Sequence, residues 1–212
     1  MPHSRLAGLA MLGTAFLLAA GGCPADGALG SDQPGIAGNL AINDPDEFAR
    51  RFPGCDEPAT ADEWRARVLE LVNEQRIAFG IAPVRYSEPL ERQATQYACE
   101  LIEFDFFDHV NPVTGSTLAD RADEFGYDFL VIGENLAGGQ PTPERAVEDW
   151  MNSPGHRQNI LDARFTELGV AVRTGGDFGI YWVQEFGRPV ASGFGSPGGF
   201  ALLDDVQEAG EP

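Results

Sequence analysis

The sequence contains no lysine: its 14 basic residues are all arginines, against 33 Asp and Glu residues, so its formal net charge is −19. The absence of lysine excludes Schiff-base chemistry, Ser-Lys dyads, P-loop nucleotide binding and the catalytic arrangement of protein kinases. Binding to DNA or to an anionic membrane surface needs a basic face that neutralises phosphates, and this chain carries the opposite charge. We therefore expect no nucleic-acid partner.

The N-terminal apolar run is too short to span a membrane. Leu6 to Ala20 is fifteen residues long, whereas a spanning helix needs about 20. With Arg5 before it and small residues after it, the run is typical of an export signal, predicted over residues 1–22. The residues before Cys23 resemble a bacterial lipobox, so we expect lipidation of Cys23; ordinary secretion after cleavage nearby is the alternative. The predicted location is extracytoplasmic, at the bacterial cell envelope or secreted, with membrane contact only through the lipid anchor.

Cysteine is also scarce, with Cys23, Cys55 and Cys99 as the three occurrences. Lipidation of Cys23 leaves two that can pair. The helical spacing of apolar residues around Cys99 places it about 180° from Leu90, free to reach another segment. We predict a Cys55–Cys99 disulfide. Two free thiols are the alternative, which export to an oxidising compartment disfavours.

Composition divides the rest of the chain into three parts. Residues 23–54 are rich in Gly, Ala, Pro, Asp and Asn and are predicted to be a tether or strap. Residues 55–188 carry the regular apolar patterns of one compact domain. Residues 189–212 form a Gly- and Pro-rich tail that becomes acidic.

Within the compact domain, apolar periodicity predicts helices followed by a few late strands, an α+β or three-layer fold. A capping box of Thr60 and Glu63 starts a helix that ends at Gly80. The side chains predicted to be buried by that helix are Trp64, Val68, Leu71, Val72 and Phe79. Further helices are predicted after Ser87, over Thr117–Phe125 and from Thr142. The strand predictions are Phe129–Ile132, Leu168–Arg173 and Ile180–Phe186.

Histidine, whose charge changes near neutral pH, is scarce in this sequence, with three occurrences. Outside the predicted signal only His109 and His156 remain, and Glu134 lies between them at the end of an apolar strand candidate. Their spacings match no local zinc motif. From the residues alone, a shared site and a purely structural role for each histidine both stay open.

Several motifs in order resemble the bacterial branch of the CAP superfamily, which groups cysteine-rich secretory proteins, antigen 5 and pathogenesis-related proteins and is also called SCP-like. The resemblance covers about residues 60–188 and implies a three-layer α-β-α sandwich. The motifs are Asp108-His109-Val110-Asn111-Pro112, Gly126-Tyr127, Gly133-Glu134-Asn135, the segment 150–161 and Tyr181-Trp182-Val183-Gln184-Glu185-Phe186-Gly187.

The resemblance also implies a surface cleft lined by two histidines and two acidic residues. His109, Glu134 and His156 match three of these places, and Ser153 stands where many members have the second acid. Glu148 is not a substitute, because two residues before Trp150 on a helix it points about 160° away. The sequence thus predicts a cleft with one carboxylate and a hydroxyl.

The predicted cleft leads to one candidate cofactor and three hypotheses about function. Some members of the superfamily hold divalent metal through the two histidines, so Zn²⁺ on His109 and His156 is the candidate cofactor. Our leading hypothesis is a binding module for an unidentified envelope or extracellular ligand. The alternatives are a metal-dependent, peptidase-like hydrolase with Glu134 as the candidate base, and a structural surface protein whose cleft is vestigial.

Overall fold

The computed structural model of the chain describes residues 45–191. The predicted signal, Cys23, residues 23–44 of the tether and all but the first three residues of the tail lie outside this range. The helices are α1 Pro45–Arg51, α2 Ala61–Ala78, α3 Glu88–Glu103, α4 Leu118–Glu124, α5 Pro143–Asn152 and α6 Pro154–Ile160. The strands are β1 Arg85–Tyr86, β2 Phe129–Gly138, β3 Glu167–Gly175 and β4 Gly179–Pro189.

The four strands form one sheet in the order β1-β3-β4-β2. β4 is antiparallel to both β3 and β2, and the short β1 is parallel to β3. Within residues 45–191, β2 is therefore an edge strand, paired with β4 on one side and with no strand on the other. This edge is where the candidate site lies.

Helices cover both faces of the sheet, which confirms the three-layer α-β-α sandwich. Successive side chains of a strand point to opposite faces, and β4 follows this rule. Trp182 and Phe186 pack in a core with α2, α5 and α6, whereas Tyr181 and Val183 pack in a second core with α3. The α3 side fits closely, since a Cβ on Gly169 of β3 would lie 2.2 Å from the backbone of α3.

The disulfide predicted from the cysteine count is confirmed. Cys55 and Cys99 are bonded, with their Cα atoms 5.3 Å apart. Cys99 is fully buried, because the segment after α1 covers this side of α3. The same segment places Phe52 in the interior and pairs Asp56 with Thr174.

The structure confirms the predicted start of α5 but not the predicted start of α2 or the burial of Phe79. Thr142 accepts a hydrogen bond from the amide of Arg145 and begins α5 as predicted. The capping box of Thr60 and Glu63 is wrong: Thr60 precedes α2 with φ −94° and ψ 8°, not the extended backbone of a capping residue, and its side chain caps nothing. Phe79 follows the last turn of α2 and is exposed, which contradicts its expected burial.

Two helices and a strand were missed by the sequence analysis. α1 lies in the part of the chain interpreted as a tether. β1 has only two residues, too few for a periodic pattern. α6 begins at Pro154 and Gly155, which are typical turn residues, although proline is well suited to the first turn of a helix. No helix within residues 45–191 is both long and apolar enough to cross a membrane.

Candidate functional site

His109 and Glu134 are hydrogen-bonded to each other. His109 lies in the connection between α3 and α4, and Glu134 is in the middle of β2. His109 Nδ1 is 2.7 Å from Glu134 Oε1. Glu134 is almost fully buried, whereas 32% of the His109 side chain is exposed. The Glu134 carboxylate therefore fixes the orientation of the His109 ring. In the neutral ring it favours the tautomer with the hydrogen on Nδ1, and Nε2 then has a free lone pair.

Arg121 of α4 holds the other side of Glu134. Its Nη2 donates to Glu134 Oε2 at 2.7 Å, and both side chains are 2% exposed. Its Nη1 donates to the backbone carbonyl of His109 at 3.2 Å, and its guanidinium lies 3.4 Å from the centre of the Tyr97 ring. One buried arginine thus neutralises the carboxylate and braces the segment that carries the histidine.

The two histidines have opposite electrostatic environments. The hydrogen bond that His109 donates to Glu134 raises the pKa of His109 above the usual 6.5; the charge of Glu134 acts in the same direction and burial opposes it. Burial, followed by the positive charge of His109, lowers the pKa of His156. The two rings are close enough to interact, and near neutral pH His156 is a neutral imidazole.

Asparagine side chains fix α6 to the edge of β2. Asn135 donates to the backbone carbonyl of His156 at 3.1 Å and to the side chain of Gln184 at 2.9 Å. Asn159 donates to the backbone carbonyl of Glu134 at 3.0 Å. These bonds attach the backbone of α6, and with it His156, to β2.

A cleft of about 310 Å³ lies beside the histidines. Its floor is formed by residues 136–138 of β2 and by Trp150. Of the four residues that the resemblance assigns to the cleft, Ser153 and His156 are in its lining and His109 is not. Phe107 and Phe178 form its aromatic side. Glu134 does not line the cleft either; it is hydrogen-bonded to His109 and orients that ring.

The carboxylate that lines the cleft is Asp149, where the resemblance led us to expect Glu134. It lines the cleft next to Ser153, accepts from Gln140 Nε2 at 3.1 Å and pairs with Arg145 at 2.9 Å. One residue before Trp150, it is rotated about 100° from that ring, within reach of the cleft. Glu148 faces solvent and pairs with Arg145, as expected.

A second buried glutamate lies beside Glu134. Glu185 of β4 is its direct partner in the β2–β4 register. Glu185 is fully buried, and neither of its carboxyl oxygens has a hydrogen-bond partner in the described part of the chain. Burial and the charge of Glu134 raise its pKa well above the usual value, with Arg121 acting in the opposite direction. The neutral, protonated acid is the favoured form.

The donor set for a metal ion is small. Within residues 45–191 no group of three or more His, Cys, Asp and Glu side chains is placed to hold one. The Glu134 carboxylate is committed to His109 and Arg121. The two imidazoles remain, which fit a cation whose other ligands are water and do not fit a closed tetrahedral zinc site.

Comparison with known proteins places this site in a family. The model of the cysteine-rich secretory protein family, CAP, matches residues 69–186, a range that includes all of the site residues above. The uncharacterized protein YkwD of Bacillus subtilis (strain 168) is 37% identical over 148 residues, covering 70% of this chain and 56% of YkwD. The chain spans about half the length of the curated relatives it matches.

Solved structures agree with the fold. An extracellular protein containing a SCP domain from Bacillus anthracis has a TM-score of 0.55 and 26% identity, covering 68% of this chain and 50% of that one. An outer surface protein from Borrelia burgdorferi has a TM-score of 0.54 and 24% identity, covering 58% of this chain and 90% of that one.

Proposed function

The chain belongs to the cysteine-rich secretory protein family, CAP, and from this premise we propose that it is an extracytoplasmic binding module with its ligand site in the cleft beside His109 and His156. The observation that carries the proposal is the buried chain from Arg121 through Glu134 to His109. These contacts hold the partly exposed imidazole of His109 in one orientation beside the cleft. Fixed polar groups at the rim of a preformed cleft are the usual construction of a ligand site.

Two observations support the extracytoplasmic location. The fold contains the Cys55–Cys99 disulfide, and such bonds persist in oxidising compartments. The B. anthracis relative is described as an extracellular protein. We extend the proposal to the signal at residues 1–22 and to lipidation of Cys23. Membrane fractionation of cells that express the full chain tests this: the protein should follow the membranes, and Cys23→Ser should release it. A Cys23→Ser protein that stays with the membranes would contradict the anchor.

The proposal includes weak, reversible binding of a divalent cation, with Zn²⁺ as the candidate, on His109 and His156. The bond from His109 Nδ1 to a carboxylate is the arrangement that orients metal-binding histidines, and the lowered pKa of His156 keeps its ring neutral and able to coordinate. With two protein ligands, water would complete the coordination. Zinc there would polarise a bound oxygen of the ligand.

Calorimetric titration of metal-free protein with Zn²⁺ near neutral pH tests the metal site. Wild type should bind, and His109→Ala or His156→Ala should abolish binding. Ser153→Ala is the matched control and should bind as wild type does, whereas Ser153→Glu, which adds a ligand, should change the affinity. The absence of binding in wild type, or its persistence in the double histidine variant, would remove the metal from the proposal.

The two alternatives have less support. Both oxygens of Glu134, the candidate base of a hydrolase, are occupied by His109 and Arg121. Ser153 has no hydrogen bond to either histidine within residues 45–191, so nothing there activates it as a nucleophile. Turnover of a peptide and ester panel that is lost in a folded Glu134→Gln variant would favour the hydrolase. A cleft that binds nothing would favour the structural protein.

A further inference from the structure

The cleft has an aromatic wall made of Phe107 and Phe178. Their ring centres are 5.1 Å apart in an edge-to-face arrangement. Both rings also lie against the buried Tyr181, with centre-to-centre distances of 6.3 and 5.4 Å. Yet 43% of Phe107 and 49% of Phe178 remain exposed. Two large rings, anchored at one side and open to a cleft at the other, provide an apolar surface ready to be covered.

Gly138, in the floor of the cleft, lets the Phe178 ring of the aromatic wall pack closely against β2. A Cβ on Gly138 of β2 would lie 2.8 Å from the Phe178 ring, closer than side-chain contacts allow. The glycine lets the ring lie directly on the backbone of the edge strand. The position of the aromatic wall is thus set by β2 and by the β3–β4 hairpin, and does not depend on a ligand.

The opposite side is a polar wall made of Gln140, Asp149, Ser153 and His156. Gln140 donates its Nε2 to Asp149, while its Oε1 is buried without a hydrogen-bond partner in the described part of the chain. An unpartnered buried acceptor is costly unless water or a ligand donates to it. This wall offers several donors and acceptors within one small space.

Charge narrows the class of ligand. The cleft is lined by a carboxylate and by no arginine, on a chain with a net charge of −19, so anions such as phosphates or fatty acids are repelled. An organic cation gains little from this cleft either. The carboxylate that lines the cleft, Asp149, is already paired with Arg145. A neutral ligand remains.

We propose that the cleft binds a neutral saccharide of one or two rings, stacked on the aromatic wall of Phe107 and Phe178 with its hydroxyls on the polar wall. A sugar ring has an apolar C–H face, which packs on the electron-rich face of an aromatic ring, and a polar rim of hydroxyls that donate and accept. The volume of 310 Å³ is at the lower end of the range of about 300 to 1,000 Å³ for small-molecule sites, which limits the length. This inference rests on the proposed function, in which the cleft is the ligand site.

The test is a titration of the isotope-labelled full chain with neutral disaccharides, N,N′-diacetylchitobiose, cellobiose, maltose and lactose, followed by NMR. At least one should shift the amide signals of residues 136–138 and 153–156 in a saturable way. Phe178→Leu keeps the apolar volume and removes the ring, and it should weaken that binding about tenfold. Tyr86→Leu, an equally exposed aromatic on the opposite edge of the sheet, is the matched control and should bind as wild type does.

A second panel of amino acids and dipeptides separates failure of this inference from failure of the proposed function. If no disaccharide shifts the cleft signals but a member of the second panel does, the saccharide is wrong and the binding module stands. If neither panel shifts them in folded protein, both are wrong. Equal weakening by Phe178→Leu and Tyr86→Leu would also overturn the stacking.

Discussion

Replacement of Glu185 by glutamine should stabilise the folded protein at neutral pH. Glu185 is fully buried, faces Glu134 across the β2–β4 pair, and has no hydrogen-bond partner for either carboxyl oxygen within residues 45–191. The one nearby cation, Arg121, already donates to Glu134. Two buried carboxylates cannot both be ionised beside a single arginine, so folding holds a proton on Glu185.

The size of the effect follows from the pH. In the unfolded chain Glu185 ionises near its usual pKa of 4.5, whereas its pKa in the folded protein is well above this. Each pH unit above 4.5 therefore costs the folded state about 1.4 kcal/mol, until the folded pKa is reached. The stability that Glu185 contributes is fully present below pH 4.5 and is lost as the pH rises through this window.

Glutamine has nearly the shape of the protonated acid and needs no proton. Urea unfolding of wild type and Glu185→Gln at about pH 5 and about pH 7 should show a difference in the free energy of unfolding that grows with pH in favour of the variant, by about 1.4 kcal/mol for each pH unit until the folded pKa is reached. Glu167→Gln is the matched control, because Glu167 is buried with two partners, Arg85 and Tyr127. That variant should be less stable than wild type. A difference for Glu185→Gln that does not change with pH would refute a proton held on Glu185.

Two further predictions concern the disulfide and the histidines. Cys55→Ser removes the disulfide to Cys99, which closes a loop with a sequence separation of 44, and should lower the free energy of unfolding by about 4 kcal/mol on the chain-entropy argument. Denaturant titration measures this loss, and wild type treated with reductant should show the same loss. An unchanged unfolding midpoint would contradict the prediction. NMR titration should give a pKa above 6.5 for His109 and below 6.5 for His156. Glu134→Gln should lower the pKa of His109. The protonated His109 contributes stability that is fully present below pH 6.5 and is lost as the pH rises through its raised pKa, and this contribution should be smaller in Glu134→Gln. A pKa of His109 that is unaffected by Glu134→Gln would contradict the hydrogen bond.

Local patterns in the sequence determined much of the scaffold. The start of α5 at Thr142, the burial of Val68 and Val72, and the late strands all depend on spacing within a few residues, and they are present. Order of motifs was sufficient to identify the family and hence the three-layer sandwich. The pairing of Cys55 with Cys99 needed only a count and a helical angle.

The tertiary structure alone decided how the site works. Arg121 and Glu185 meet Glu134 because of the β2–β4 register and the packing of α4, and neither relation leaves a mark in local spacing. Asp149 and Phe178 reach one cleft from α5 and the β3–β4 hairpin, which lie far apart in the chain. Charge, burial and hydrogen bonding depend on distances in space. For that reason the sequence determined which residues carry chemistry, and only the fold decided which of them share a proton, a cation or a cleft.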